Sequence, residues 1–508
     1  MSLEASLNAA ASGLSGISRH LAVVSQNVAN VGTPGYARQV LPQSSMAADG
    51  QGMGVRVGVA QRQIDLHLQL ASLRQTSAVS ALETQGRALA AIDAVHGAVG
   101  AGDDLGSLLG KLSDGFTALA ADPSSQPNQT AVVNAGQALA RQVNALSASY
   151  GAARQSAQDA LVADLGELNA ALGRIGDLSM RIVQLRALGD STADLENQRD
   201  AARADLAKLI DVRAVETQSG DLLLATPSGL ALPTRFSVPP FSLDAATLDA
   251  TSHHPTGGVP PIMLGGNDVT AKLREGRIGA NIALRDATLP TFQAELDEFA
   301  ITLSRRFDAQ GLALFTDPSG TVPVGSGAPV QDGYVGYAGV IGVNPAVAAD
   351  ARLVRDGTHA VADDPAGPSG FLPNPPGGPA GFAGMVQRVL DHVLGGEVRP
   401  GVAHAASAQS GLGPAGTLAT PYAPPVRLAG LATALVSSQT TARAETDARF
   451  TSAQSLQTAL DDKLAAGTAV SVDQEMTVMV QLQSAYAANA RVISAVQAML
   501  DQTLQMLR

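Results

Sequence analysis

LEASLNAAASGLSGISRHLAVVSQNVANVGTPGY, residues 3–36, is the stretch on which the fold turns. Within it Leu3, Leu7, Ala10, Leu14, Ile17, Leu21, Val24, Val28 and Val31 recur at alternating steps of four and three. That is a heptad seam sustained over four repeats, a helix about 43 Å long when fully formed. Ser2 is placed to cap its start and Glu4 to complement its dipole. Thr33-Pro34-Gly35 ends it, because the residue before a proline avoids the α region.

The other end of the chain mirrors this pattern. Ser471-Val472-Asp473-Gln474 has the form of a capping box. A seam follows at Met476, Met479, Gln483, Tyr486, Ala490, Ile493, Gln497, Leu500, Leu504 and Leu507, and a second row, Leu482 and Val496, widens the apolar face. Both helices are nearly free of formal charge. Arg491 and Asp501 are the charged residues between Met476 and Leu507, and Glu4 and Arg19, with His20 beside them, those of the first 36 residues. A soluble coiled coil ordinarily places Glu and Lys on its outer faces. In a polymer, identical copies would stack like charges against each other, and Ser, Asn, Gln and Ala avoid that cost. The plainer alternative is a pair of ordinary bundle helices. The expectation is that the two ends pair as one coiled-coil or bundle unit whose assembly seam is Leu3, Leu7, Leu14, Ile17, Leu21, Val24, Val28, Met476, Met479, Tyr486, Ile493, Leu500, Leu504 and Leu507.

Between the ends the chain reads as mainly α with inserted β. Leu161, Leu165, Leu168, Leu172, Ile175, Ile182 and Leu185 form one stripe; Phe292, Leu296, Phe299, Leu303 and Phe307 form another; Leu428, Leu431, Leu435, Leu456, Leu460 and Leu464 lead back to the C-terminal seam. Shorter helices are expected from Ile64 to His96 and from Val132 to Tyr150. Short strands and turns fill the stretch from Val212 to about Thr270, and Gly and Pro dominate from Asp317 to about Pro425. The domain expectation is therefore residues 1–60 with 470–508 as the paired-helix assembly domain and 61–215 with 271–316 and 428–469 as a helical middle domain. Residues 216–270 form a small β-rich insertion, and 317–427 a Gly/Pro-rich outer domain.

Composition removes whole classes of function. Of the 508 residues 15% are charged and the net charge is −12, which disfavours nucleic acid as a partner, since phosphate binding needs clustered Lys and Arg. Absence of cysteine rules out disulfides, thiolate nucleophiles and Cys-type zinc sites. Aromatics at 3% with no Trp disfavour a walled ligand pocket. No stretch of about 20 apolar residues suggests membrane insertion, and Met1-Ser2-Leu3-Glu4-Ala5 lacks the basic and apolar regions of a cleavable signal peptide. The catalytic motifs fail singly. Gly106-Ser107-Leu108-Leu109-Gly110-Lys111-Leu112 has the wrong spacing for a phosphate loop and lacks the hydroxyl for magnesium. His253-His254 has no acidic third ligand, and Asp103-Asp104 and Asp363-Asp364 read as turn residues. No catalytic, cofactor-binding or metal-ligating set is expected, and the chain reads as a self-assembling structural subunit rather than an enzyme.

One segment is specific. Asn27-Val28-Ala29-Asn30-Val31-Gly32-Thr33-Pro34-Gly35-Tyr36 closely resembles the N-terminal signature of bacterial flagellar axial proteins, the rod, hook and hook-associated proteins. The run from Val472-Asp473-Gln474-Glu475-Met476 to Tyr486-Ala487-Ala488-Asn489-Ala490-Arg491 resembles their C-terminal signature, with Gln474 standing where an acidic residue is common. The continuation Tyr36-Ala37-Arg38-Gln39, the segment Gly54-Val55-Arg56-Val57 with Gln61-Arg62 and Asp65, and the passage Leu195-Glu196-Asn197-Gln198-Arg199-Asp200 are similar to the hook-associated branch at the hook–filament junction. The resemblance spans roughly residues 1–230, 270–315 and 430–508, and puts the motif on Asn27, Ala29, Asn30, Thr33, Pro34, Gly35, Tyr36, Arg38 and Gln39.

It implies a subunit exported through the flagellar type III apparatus to the outside of the cell. There the subunit would assemble with copies of itself in a ring, between the hook protein and a second hook–filament junction protein. An export chaperone would bind its C-terminal helix. The alternatives are a hook or distal rod subunit, which continues differently after Tyr36, and a wall hydrolase, which would need a carboxylate pair or triad that the Gly/Pro loops do not offer.

Overall fold

The computed structural model describes residues 3–33, 35–48, 51–97, 102–325, 327 and 329–506. The elements run α1 (Leu3–Ala29), β1 (Gln39–Val40), β2 (Gln43–Ala48), β3 (Gln51–Val57), β4 (Gln61–Arg62), α2 (Leu66–His96), α3 (Leu105–Ala121), α4 (Gln126–Leu188) and α5 (Ala193–Leu209). Strands β5 (Arg213–Glu216), β6 (Leu222–Ala225), β7 (Ala231–Leu232), β8 (Phe241–Ser242), β9 (Met263–Leu264) and β10 (Asn267–Asp268) follow. Then come α6 (Gly276–Ala283) and α7 (Leu289–Ala309), joined by a π-helical turn. Short helices α8 (Pro345–Ala349), α9 (Leu353–Asp356) and α10 (Gly384–Arg388) lie among two-residue and three-residue strands, before α11 (Leu428–Thr468) and α12 (Val472–Met506). The architecture is mainly helical, with long helices at both ends and small antiparallel sheets between.

These elements gather into two compact units. The first comprises residues 1–80, 166–240 and 452–508. In it α1 packs on α12 and on the β2–β3 hairpin. The hairpin comes close because Gly54, at φ 120°, has no Cβ; one placed there would sit 2.2 Å from the Ser12 hydroxyl. That hydroxyl instead accepts from the Val55 N–H at 3.2 Å and donates to the Ala9 carbonyl at 2.9 Å. The C-terminal turns of α4 bury Leu168, Leu172, Ile175 and Ile182, and α5 buries Leu195, Ala202 and Leu206. The antiparallel sheet β5–β6–β7 belongs to this unit.

The second unit comprises residues 81–165 and 241–451. One core unites α3, the first half of α4, α7 and the start of α11, with Phe116, Phe299, Phe307 and Phe315 fully buried. Rings of Phe307 and Phe315 meet edge-on, 5.4 Å between centroids. The Gly/Pro-rich stretch contributes to this same core through Tyr337, Val347, Val354, Met385, Val386, Val389 and Val393. Glycines at positive φ recur through it, Gly401 in the turn between two of its strands and Gly413 directly after another.

Helix limits follow local chemistry. Asp104 caps α3, accepting from the Ser107 N–H at 3.0 Å, and Asp65 accepts from the N–H groups of His67 and Leu68 at the start of α2. The expected break after Tyr150 does not occur: α4 is one helix of 63 residues. After Pro127 no proline interrupts its backbone ladder, so the helix continues, and one buried face runs from Leu139, Val143 and Leu146 on to Leu161, Leu168 and Ile175.

Candidate functional site

The motif after α1 builds a polar knot inside the first unit. Asn27, 1% exposed, uses both ends of its amide. Its Nδ2 donates to the Gln39 carbonyl at 3.0 Å and to Glu475 Oε2 at 3.2 Å. Its Oδ1 accepts from the Tyr36 hydroxyl and the Gln39 N–H, each at 3.0 Å. Glu475, also 1% exposed, takes the Arg38 Nε–H on its other oxygen at 2.7 Å. Gln39 and Gln26 each donate to Asp194 in the first turn of α5, at 2.8 and 2.6 Å. The Arg38 N–H donates to the carbonyl of Thr468, the last residue of α11. One knot thus ties the end of α1, the exit segment, the start of α12, the start of α5 and the end of α11.

The turn that makes this possible is local. Asn30 donates to the Gln26 carbonyl at 2.9 Å and the Thr33 hydroxyl to Asn30 Oδ1 at 3.3 Å, closing the frayed helix end. Gly35 takes φ 77°, a left-handed value that favours glycine. Burial, then the neighbouring charges of Asp194 and Glu475, push the Tyr36 phenol up to about 12, so it stays a donor to Asn27 across the physiological range. Ala29 and Thr33 are exposed, and Pro34 lies outside the described residues.

A second network lies on the same helix. Strand β4 pairs Arg62 with Gln39 of β1, so both point their chemistry at α5. Arg62 donates to Glu196 at 2.8 Å and to Asp200 at 2.5 Å. Burial works against the Arg62 charge, but Asp200 and Glu196 outweigh it and raise its pKa. Burial likewise pushes the Asp200 carboxyl up, while the Arg62 and Arg203 guanidiniums bring it below the usual range. Arg186 bridges Glu196 and Glu216, and Arg199 joins Glu216 at 3.0 Å. Removing one member of such a buried pair costs about 3–5 kcal/mol, because the other is left uncompensated. The two internal stretches singled out in the sequence, around Arg62 and from Leu195 to Asp200, therefore touch each other.

On α1 the seam positions Ala10 and Val24 are buried, and Leu7, Leu14, Ile17, Leu21 and Val28 half-buried. α12 runs antiparallel to it. Asn27 meets Glu475 at one end, and Gly13 lies against the Asn489 side chain further along, its would-be Cβ 3.5 Å away. The α12 face turned to α1 carries Glu475, Val478, Leu482, Ala485, Asn489, Val496 and Leu500, with Met479 and Ile493 half-buried beside it. Within one chain, then, Leu482 and Val496 of the widening row share the packing with Met479, Ile493 and Leu500 of the seam. Met476 and Tyr486 are instead 45% and 41% exposed, and Val480, Val492 and Met499 are open as well. Both rows are apolar, so periodicity alone does not choose between them. The side chains of Leu3 and Leu504, and all of Leu507, lie outside the described residues.

The buried acids of the second unit have structural partners. Asp297 is fully buried and accepts from the N–H groups of Gly336 and Ala338, both at 2.8 Å, and from Gln293. Glu295 accepts from Gln439, whose Oε1 takes the Tyr150 hydroxyl and lies 2.8 Å from His96 Nε2. Burial pushes both carboxyls up to about 7. The cavity of about 120 Å³ beside Asp297, lined by Tyr150, Arg154 and Gln331 among others, is small for a substrate. Among the described residues no group of three His, Asp or Glu is placed to hold a metal, and no helix is long and apolar enough to cross a membrane.

Comparisons with known proteins fall on these same segments. The family model described as flagellar hook-associated protein FlgK helical domain matches residues 89–317. That of the flagella basal body rod protein matches 7–36, and that of the flagellar basal body rod FlgEFG protein C-terminal matches 466–506. Flagellar hook-associated protein 1 of Bacillus subtilis is 25% identical over 41% of this chain and 43% of its own length. Its namesake in Salmonella typhimurium is 25% identical over 60% of this chain and 56% of its own. The matches thus span about half the length of these relatives. A solved structure of the flagellar hook junction protein FlgK from Burkholderia pseudomallei aligns over 50% of this chain and 45% of that one, with 23% identity and a TM-score of 0.40.

Proposed function

We propose that this chain, which belongs to the flagellar axial family and within it resembles hook-associated protein 1, is the structural subunit that joins hook to filament. It assembles through its terminal helices and works without catalysis. The observation that carries this reading is the surface of α12. It packs one side on α1 and leaves Met476, Val480, Tyr486, Val492, Met499 and Met506 at 41–79% exposure, on a helix almost without charge. A helix apolar on more than one side is stable when further helices cover it, and copies of the same chain in a ring would supply them.

The finer assignments belong to this reading. The hook protein lies on one side of the ring and the second junction protein on the other, and an export chaperone covers the C-terminal helix before secretion to the cell exterior. Residues 1–60 with 470–508 form the assembly domain, 61–215 with 271–316 and 428–469 the helical body, and 216–270 and 317–427 the outward insertions. The test is a clean deletion of the gene, with electron microscopy of the cells and an assay of flagellin in the medium. Complete hooks without filaments and flagellin outside are expected. Missing hooks would mean a rod or hook subunit, and normal flagella would overturn the assignment.

A further inference from the structure

The α1–α12 contact is poorly suited to fixing its own alignment. Glu475, Leu482, Asn489 and Val496 follow one another at seven-residue intervals on the face turned to α1, so sliding α12 by one heptad presents a similar row. On α1 the position facing Asn489 is Gly13, which has no side chain to key the alignment. Asn489 does not discriminate, because its amide donates to the Ala485 carbonyl of its own helix at 3.2 Å. Glu475 is different. It is buried, charged, and held by two groups from different elements, Asn27 of α1 and Arg38 of the exit segment. Slid one heptad one way, Glu475 would face His20 and lose both partners. Slid the other way, Leu482 would sit against the Asn27 amide and Glu475 would pass the end of α1.

We propose that Glu475 is the register-setting residue of the terminal-helix pair: its carboxylate, clasped by Asn27 and Arg38, admits one alignment of α12 on α1. A buried polar group that fixes register at some cost in stability is the best-attested use of such groups in helix pairs. This deepens the assembly reading and rests on the terminal helices being the assembling elements. In a ring, copies whose helices were slipped by a heptad, about 10 Å, would present their open faces out of step.

The absence of cysteine makes the test direct. In the full-length chain, Gly13→Cys with Asn489→Cys reports the aligned pair. Gly13→Cys with Leu482→Cys or with Val496→Cys reports the two one-heptad slips. Intrachain disulfide yield is read by gel mobility. The parent forms the aligned bond with the slipped bonds at background. Glu475→Leu, which continues the apolar row, raises the slipped yields by about tenfold, and Glu475→Gln, which keeps the shape and much of the hydrogen bonding, raises them less. Slipped yields unchanged in both variants would overturn the proposal, as would a parent without the aligned bond. Should Glu475→Leu form no bond at any pair, Glu475→Gln decides: raised slip supports the proposal and unchanged slip overturns it. Because alignment is read within one chain and ring incorporation is scored separately in cells, failure of the one is distinguishable from failure of the other.

Discussion

The second unit closes on itself, and the terminal pair does not. Around Phe307 the rings of Phe116 and Phe315 and the side chains of Leu303 and Leu312 are sealed from solvent, and even the irregular Gly/Pro stretch gives its Val and Met residues to that core. Among the described side chains of α12 the buried set thins to Glu475 and Val496, with the others half-buried or open. α1 is better covered, since the β2–β3 hairpin backs it on a second side. The lesson is that hydrophobic content does not distinguish a finished domain from an assembling one; what distinguishes them is whether the chain supplies the second surface itself. An isolated helix of this kind draws little stability from propensity alone and needs packing, so the pair awaits other copies.

That contrast is breakable by substitution. The largest effect is expected from Leu14→Asp or Ile493→Asp. Each puts a charge on the terminal-helix contact and should abolish incorporation into flagella while leaving the melting transition of the second unit in place. A variant that still gave normal filaments would break the seam assignment. Phe307→Ala should do the reverse, costing the second unit about 3–5 kcal/mol by opening a cavity in a fully packed core, measured by denaturant unfolding. A loss below about 1 kcal/mol would mean the core is not closed around it.

The smallest effect sharpens the comparison through pH. Burial raises the Glu295 carboxyl to about 7. From about pH 4 upward the unfolded chain releases a proton that the folded chain keeps, so this contribution to stability is intact below the unfolded pKa and is lost as pH rises toward the folded one. Glu295→Gln cannot ionise. Its stability relative to the parent should therefore grow between about pH 4 and 7, to at most roughly 3 kcal/mol, and level off above. A pH-independent difference would show that Glu295 keeps its charge in the folded state.

Much of the terminal unit was legible because a heptad and a proline stop are local signals. The seam of α1, the helix at residues 472–506 and the turn at Gly35 all follow from spacing and backbone restriction. The choice between the rows of α12 was not legible, since Met476 and Tyr486 are as apolar as Leu482 and Val496 and differ by a rotation that only a partner determines. Glu475 and Asp194 were missed as members of the knot for a related reason: their partners, Asn27, Arg38, Gln26 and Gln39, are hundreds of residues away from the one and more than 150 from the other. The signal that was available is that Glu475 is an acid next to the start of an otherwise nearly uncharged helix. The continuity of α4 was legible in principle: Leu139, Val143, Leu146, Leu161, Leu168 and Ile175 share one helical face and no proline follows Pro127.

The central claim, that the terminal helices are completed by other copies, is tested most directly by amide hydrogen exchange on the dilute full-length monomer. The account predicts protection across Leu3 to Val31 and Val472 to Met506 far below that of α3 and α7, the level of a pair that forms within one chain but opens readily until other copies cover it. Protection of the terminal helices equal to that of α7 in the monomer would contradict it.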